Sequence, residues 1–190
     1  MTTKAWISEI PLILNETESL SLIKMTQSIN GVLLYRATTD GFDSKVFHMK
    51  CDGKANTITI IKNNFNYVFG GYKSATWDDG SKGRFSAFKT DPHAFIFSLR
   101  RKGVSKNDMY MIRKSQEAIC CSIYKGPSFG FDDIDINERP NIETGSYSNI
   151  GGSYECPLNY IYNSNEKKTS FLAGSLKNWL VTEIEVYQII

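Results

Sequence analysis

The chain has 190 residues, enough for one domain of ordinary size. Apolar residues make up 41% and charged residues 22%, which excludes a collagen, a coiled coil and a wholly disordered chain. A net charge of +2 supplies no broad positive field, so nucleic acid is not an expected partner.

Residues 11–29 carry a helical pattern, with Asn15 as the cap and Glu18 three residues on to complete a capping box. Val32 to Arg36 reads as a buried strand. Thr39 to Phe42 is turn chemistry leading into a second helix, in which Phe42, Val46 and Phe47 recur at helical spacing. Cys51-Asp52-Gly53 ends it, with Gly53 suited to a left-handed conformation. From Thr57 the period switches to two, giving strands over 57–62 and 67–72 with Asn63-Asn64 as the turn between them. The paired Gly70 and Gly71 predict a bulge, or another backbone or a ligand passing close by.

The segment 73–92 is long and polar but carries Trp77, Phe85 and Phe88, which are expected to pin it to the body. Further strands are predicted over 94–99, 109–112, 118–124, 133–137, 170–174 and 182–190, with a basic turn through Gly103 and a loop over 138–152. The basic clusters Arg100-Arg101-Lys102 and Lys167-Lys168 read as solvated loop tips. Aromatic residues reach 13%, and large rings in short runs favour strands. The pattern predicts an α+β, mostly β, fold: a two-sheet antiparallel β-sandwich with flanking short helices.

The start of the chain shows no unbroken apolar core of signal-peptide length, and no stretch is long enough to cross a bilayer as a helix. A cytoplasmic chain with reduced thiols and no membrane insertion is therefore expected. The four cysteines are Cys51, Cys120, Cys121 and Cys156; Cys120 and Cys121 are neighbours in a strand and point to opposite faces. Only His48 and His93 could serve a Ser-His-Asp or Cys-His set. His48 lies three residues before Cys51, but no second Cys/His pair exists to complete a zinc site. Asp133 to Asn137 starts like a calcium loop and then fails, with Glu138 in place of the glycine and Thr144 in place of the bidentate acid. No catalytic set, metal site or cofactor site assembles from this inventory.

The order of several short blocks resembles the TLDc domain, the family that includes the oxidation-resistance proteins. The blocks are Leu33-Leu34-Tyr35-Arg36-Ala37 with Asp40-Gly41-Phe42, Phe47-His48, and Tyr67-Val68-Phe69-Gly70-Gly71-Tyr72. Trp77-Asp78, Asp91-Pro92, Gly126-Pro127-Ser128-Phe129-Gly130, Phe171-Leu172-Ala173-Gly174 and Glu183-Ile184-Glu185-Val186-Tyr187 follow. The resemblance covers about residues 30–190, with residues 1–29 as an N-terminal helical arm. It implies a non-catalytic interaction domain that binds or regulates the vacuolar proton pump (V-ATPase) through the pump's peripheral sector, and that contributes to oxidative-stress protection. Location is then cytoplasmic, with attachment at acidic organelles through the pump.

On this reading the partner-binding candidates are Asp40, Gly41, Gly70, Gly71, Trp77, Gly130 and Glu185. Gly41 and Gly70 serve backbone shape equally well, and Glu185 reads as an exposed acid on an edge strand. The run Phe129-Gly130-Phe131-Asp132-Asp133 departs from relatives that carry several glycines there, and a more rigid loop is expected. Two other readings stand beside this one: a thiol- or carboxylate-dependent detoxifying enzyme using Cys51 or Cys120 with His48, and a structural scaffold domain.

Overall fold

A computed structural model describes residues 13–28, 30–80, 87–158, 160, 162 and 169–190. The chain opens with helix α1 (Glu16–Thr26), then strand β1 (Gly31–Arg36) and the short helices α2 (Ala37–Asp40) and α3 (Ser44–Cys51). Strands β2 (Thr57–Asn63), β3 (Val68–Lys73), β4 (Ala87–Lys89), β5 (Phe95–Arg101) and β6 (Val104–Met111) follow. After a 3-10 turn at Ser115–Glu117 come β7 (Ile119–Cys121), β8 (Ser128–Phe129) and β9 (Val181–Ile189).

Two antiparallel sheets form. The larger has the order β1-β9-β2-β3-β5-β6 and the smaller the order β4-β7-β8. Alternation along the strands divides the large sheet's side chains between two apolar clusters. Ile61, Phe69, Ile96, Ile184 and Val186 share one cluster with Ile119, Cys121 and Phe129 of the small sheet, joined by Trp77 and Trp179. Ile58, Ile60, Val68, Phe97, Leu99 and Tyr187 lie in the other, which Ile13 and Leu22 complete beneath α1. The α+β, mostly β, two-sheet architecture is the one the sequence predicts.

Helix α1 begins at the predicted capping box: Asn15 Oδ1 accepts from Glu18 N and Glu18 Oε2 accepts from Asn15 N. Residues 11, 12 and 29 of the predicted helix lie outside the described residues. The side chain of Glu18 also takes Arg100 across two contacts, Nε to Oε1 at 2.7 Å and Nη2 to Oε2 at 2.5 Å, and is fully buried. Arg100 is therefore a strand residue that anchors α1, not the solvated loop tip expected; Lys167-Lys168 lie outside the described residues. The β5–β6 hairpin closes through Lys102 and Gly103, both left-handed (φ 49° and 80°), which is the two-residue turn geometry favoured by strand twist.

Several other expectations need correction. Residues 170–174 form turns, because Ser170 Oγ accepts from Ala173 N and Gly174 N bonds back to Ser170 O. Residues 133–137 make isolated bridges, Phe129 with Ile134 and Asp135 with Tyr147, in place of a continuous strand. The strand expected over 118–124 is confined to Ile119–Cys121, and the strand expected at 109–112 extends back to Val104. Phe88 lies on β4, inside what reads as loop; Phe85 is outside the described residues.

Candidate functional site

The residues singled out by sequence fall into three places. At the β1–α2–α3 corner, Asp40 Oδ2 accepts from Arg36 N at 2.9 Å and Asp40 Oδ1 pairs with Lys50 Nζ at 2.8 Å. Burial pushes its carboxyl up, but these partners outweigh it and hold it below the usual carboxylate range. Gly41 follows at φ +115°, and its carbonyl accepts from Tyr35 Oη at 2.7 Å. The turn that a side-chain-free residue permits here thus presents a carbonyl to the buried phenol.

The second place is one row across the large sheet. Register aligns Arg36, Glu185, Ile60, Gly70 and Phe97 on successive strands β1, β9, β2, β3 and β5. Glu185 is fully buried (0% exposed) on a strand flanked by β1 and β2, so it is not the exposed edge acid expected. Its Oε1 receives Arg36 Nε at 3.0 Å and Nη2 at 2.9 Å. A buried carboxylate needs such a partner, and removing the arginine would leave an uncompensated charge. Beside it Glu183 accepts from Thr38 N at 3.1 Å and from the Thr38 hydroxyl. At Gly70 a Cβ would overlap the carbonyl oxygen of Thr59 and lie 3.0 Å from Phe97 Cζ. The paired glycines therefore answer to close passage of neighbouring chain; no bulge falls between them, and the register shift lies at Val68/Phe69.

The third place is the space between the sheets. A Cβ at Gly71 would lie 2.6 Å from Phe129 Cε1. The ring of Phe129 meets Trp77 edge-on at 5.6 Å, Trp77 meets Phe47 at 5.3 Å, and Phe47 meets Tyr35 at 5.9 Å. Trp77 is 1% exposed and donates from Nε1 to Thr57 Oγ1 at 3.1 Å, so it is a core residue and offers no surface to a partner. Gly130 (φ +68°) has the Asp133 carboxylate where a Cβ would stand. Trp77 and the loop that ends at Gly130 thus converge, but inside the protein.

Three buried polar groups have roles that the sequence did not assign to them. Lys73 is fully buried; its Nζ donates to Lys54 O at 2.9 Å and Ala75 O at 2.5 Å and sits 4.7 Å from the Trp77 ring centre. Burial drives the amine down to about 7. Asp133 accepts from the backbone of Gly151, Gly152 and Ser153 at 2.8, 3.1 and 2.7 Å, while burial pushes its carboxyl up to about 6 against those donors. Asp91 ties Ser74, Ala75 and His93 through their backbone N–H groups. Acids and lysines are normally read as solvent-facing. Only the glycine pair at 151–152, suited to a turn of exposed N–H groups, hinted at one of them.

The His48–Cys51 pair has the wrong arrangement for thiol activation. His48 Nδ1 faces Asp52 Oδ1 at 2.9 Å, and Nε2 faces the carbonyls of Ser122 and Lys125 at 2.9 and 3.1 Å. Burial alone would push the imidazole down, but these acceptors outweigh it and hold it above its ordinary value. Both ring nitrogens are taken up by these oxygens, which tie α3 to the segment after β7, so neither is left to accept a proton from the Cys51 thiol as an activating base must. Burial pushes the Cys51 thiol up to about 12. Among the described residues no group of three or more His, Cys, Asp or Glu side chains is placed to hold a metal ion, and no helix is long and apolar enough to cross a membrane.

The described geometry is thus a sandwich whose singled-out residues are mostly consumed in holding it together. No curated protein matches this sequence. The family profile of the TLDc domain does match, over residues 3–190, and so takes in α1 as well as the blocks from Leu33 onward. With nearly its whole length inside that profile, the chain belongs to the TLDc domain family.

Proposed function

We propose that this protein is a non-catalytic TLDc interaction domain that binds the peripheral sector of the V-ATPase and contributes to protection against oxidative damage. The observation that carries the reading is the family match across nearly the whole chain. The internal engagement of His48, Cys51 and Trp77 supports it, because these groups serve packing and hydrogen bonding. The protein works in the cytoplasm and reaches acidic organelles through the pump.

Co-precipitation from extracts of the source cell, at low and at moderate salt, tests the proposal. Pump subunits recovered with the folded chain are the expected result, and their absence at both salt concentrations refutes it. Gly70→Arg is a folding control only, since any side chain there meets the Thr59 carbonyl. A variant that tests a contact must lie on the surface.

A further inference from the structure

One surface cleft combines open aromatic rings with charged side chains. It encloses about 130 Å³ beside the small sheet and is lined by Phe88, Phe131, Asp132, Lys125, Asp135 and Ser128 among others. Phe88 and Phe131 are 41% and 51% exposed, with ring centres 6.2 Å apart and planes at 37°. Large rings left half in water have a cost unless something covers them. Within the cleft the charges are unevenly satisfied. Lys125 Nζ pairs with Asp135 Oδ2 at 2.6 Å. Asp132 makes no side-chain hydrogen bond or ion pair among the described residues, although it is half-buried. Lys125 and Lys177 act on it only from a distance; Lys177 Nζ lies over the Tyr147 ring at 5.6 Å.

The backbone holds Asp132 in this position at some cost. Its φ is +68°, a left-handed conformation that glycine adopts freely and that Asp and Asn tolerate better than other residues with side chains. The loop is fixed on both sides, by Phe131 N donating to Ser153 Oγ at 2.9 Å and Asn149 N donating to Asp132 O at 2.9 Å. A strained position occupied by a half-buried carboxylate, next to two open rings, suits a cation whose stem lies on the rings.

We infer that this cleft docks an arginine or lysine side chain of a partner protein's segment, with the charged head on the Asp132 carboxylate and the stem against Phe88 and Phe131. Charge complementarity selects the occupant: the cation already in the cleft, Lys125, is ion-paired with Asp135, so an incoming one faces an acid that no cation among the described residues contacts directly. The inference deepens the interaction-domain reading and rests on it.

The test is an NMR titration of the full chain with the peptide acetyl-Leu-Arg-Leu-amide, and with the same peptide carrying citrulline in place of arginine. The arginine peptide is expected to shift the ring signals of Phe88 and Phe131 saturably in the millimolar range. Asp132→Asn, which keeps a residue tolerant of the left-handed conformation, should weaken binding about tenfold, as should citrulline. Phe131→Ala should weaken it as well. Equal binding by the citrulline peptide, undiminished shifts in Asp132→Asn, or shifts confined to other residues would overturn the inference. Loss of pump binding alone, with the peptide still seated, would remove the pump as the partner and leave the cleft standing.

Discussion

Replacing Gly70 by alanine probes whether this glycine serves the fold. Gly70 sits in β3 opposite Ile60 of β2 and Phe97 of β5, so the large sheet continues on both of its sides. The added Cβ would overlap the Thr59 carbonyl oxygen, lie 2.9 Å from the Thr59 carbonyl carbon and touch the Phe97 ring at 3.0 Å. Two of those obstacles are backbone, which cannot swing aside as a side chain can. Overpacking of this kind costs about 1–3 kcal/mol where side chains absorb it. With backbone in the way, the upper end, about 3 kcal/mol, is expected. For a chain of this length each kcal/mol lowers Tm by roughly 2–4 °C, so Gly70→Ala should melt roughly 6–12 °C below the wild type. Gly53→Ala is the control: φ is +75° but nothing stands within 4 Å of the added carbon, so only the backbone term of about 1 kcal/mol remains. Thermal unfolding followed by circular dichroism reads both. A Gly70→Ala variant as stable as Gly53→Ala would refute the steric argument and return Gly70 to the list of contact residues.

Two further outcomes follow from buried groups. Folding takes the Lys73 amine from an ordinary 10.5 to about 7, so its charged form opposes folding; the penalty is complete below pH 7, shrinks as pH rises and vanishes above 10.5. Urea unfolding should therefore show the wild type gaining on Lys73→Met by about 1 kcal/mol per pH unit across that window, and a gap independent of pH would show that Lys73 stays charged in the fold. The thiols of Cys51 and Cys121, pushed up to about 12 and about 11 by burial, should resist iodoacetamide at neutral pH until the protein unfolds, while half-buried Cys156 reacts first. Mass mapping in which Cys51 is alkylated fastest would restore the thiol-enzyme reading.

The architecture was legible where local chemistry and burial agree. The capping box at Asn15 and Glu18, the period-two runs of β2 and β9, and the turn at Gly103 are all set by residues close in sequence. Prediction failed where long-range contacts decide. Residues 170–174 are apolar enough for a strand, yet a serine hydroxyl and the close ring of Tyr67 at Gly174 hold them in turns. Glu185 alternates like a solvent-facing acid because the sequence alone does not show that β1 covers its edge or that Arg36 waits there. The same limit hid the site. Gly41, Gly70, Gly71 and Gly130 mark crowded or left-handed backbone, and a motif of such positions reports the fold first. Phe131 and Asp132 were read from sequence only as part of a rigid loop, and their meaning came from Phe88, brought alongside by the β4–β7 pairing.

The most direct test of the interaction-domain account is a binding measurement between the purified chain and purified V-ATPase peripheral sector, by sedimentation at low and moderate salt. The account predicts a saturable complex that survives Cys51→Ser and is weakened by Asp132→Asn. Failure of the folded wild-type chain to sediment with the sector at either salt concentration would contradict it.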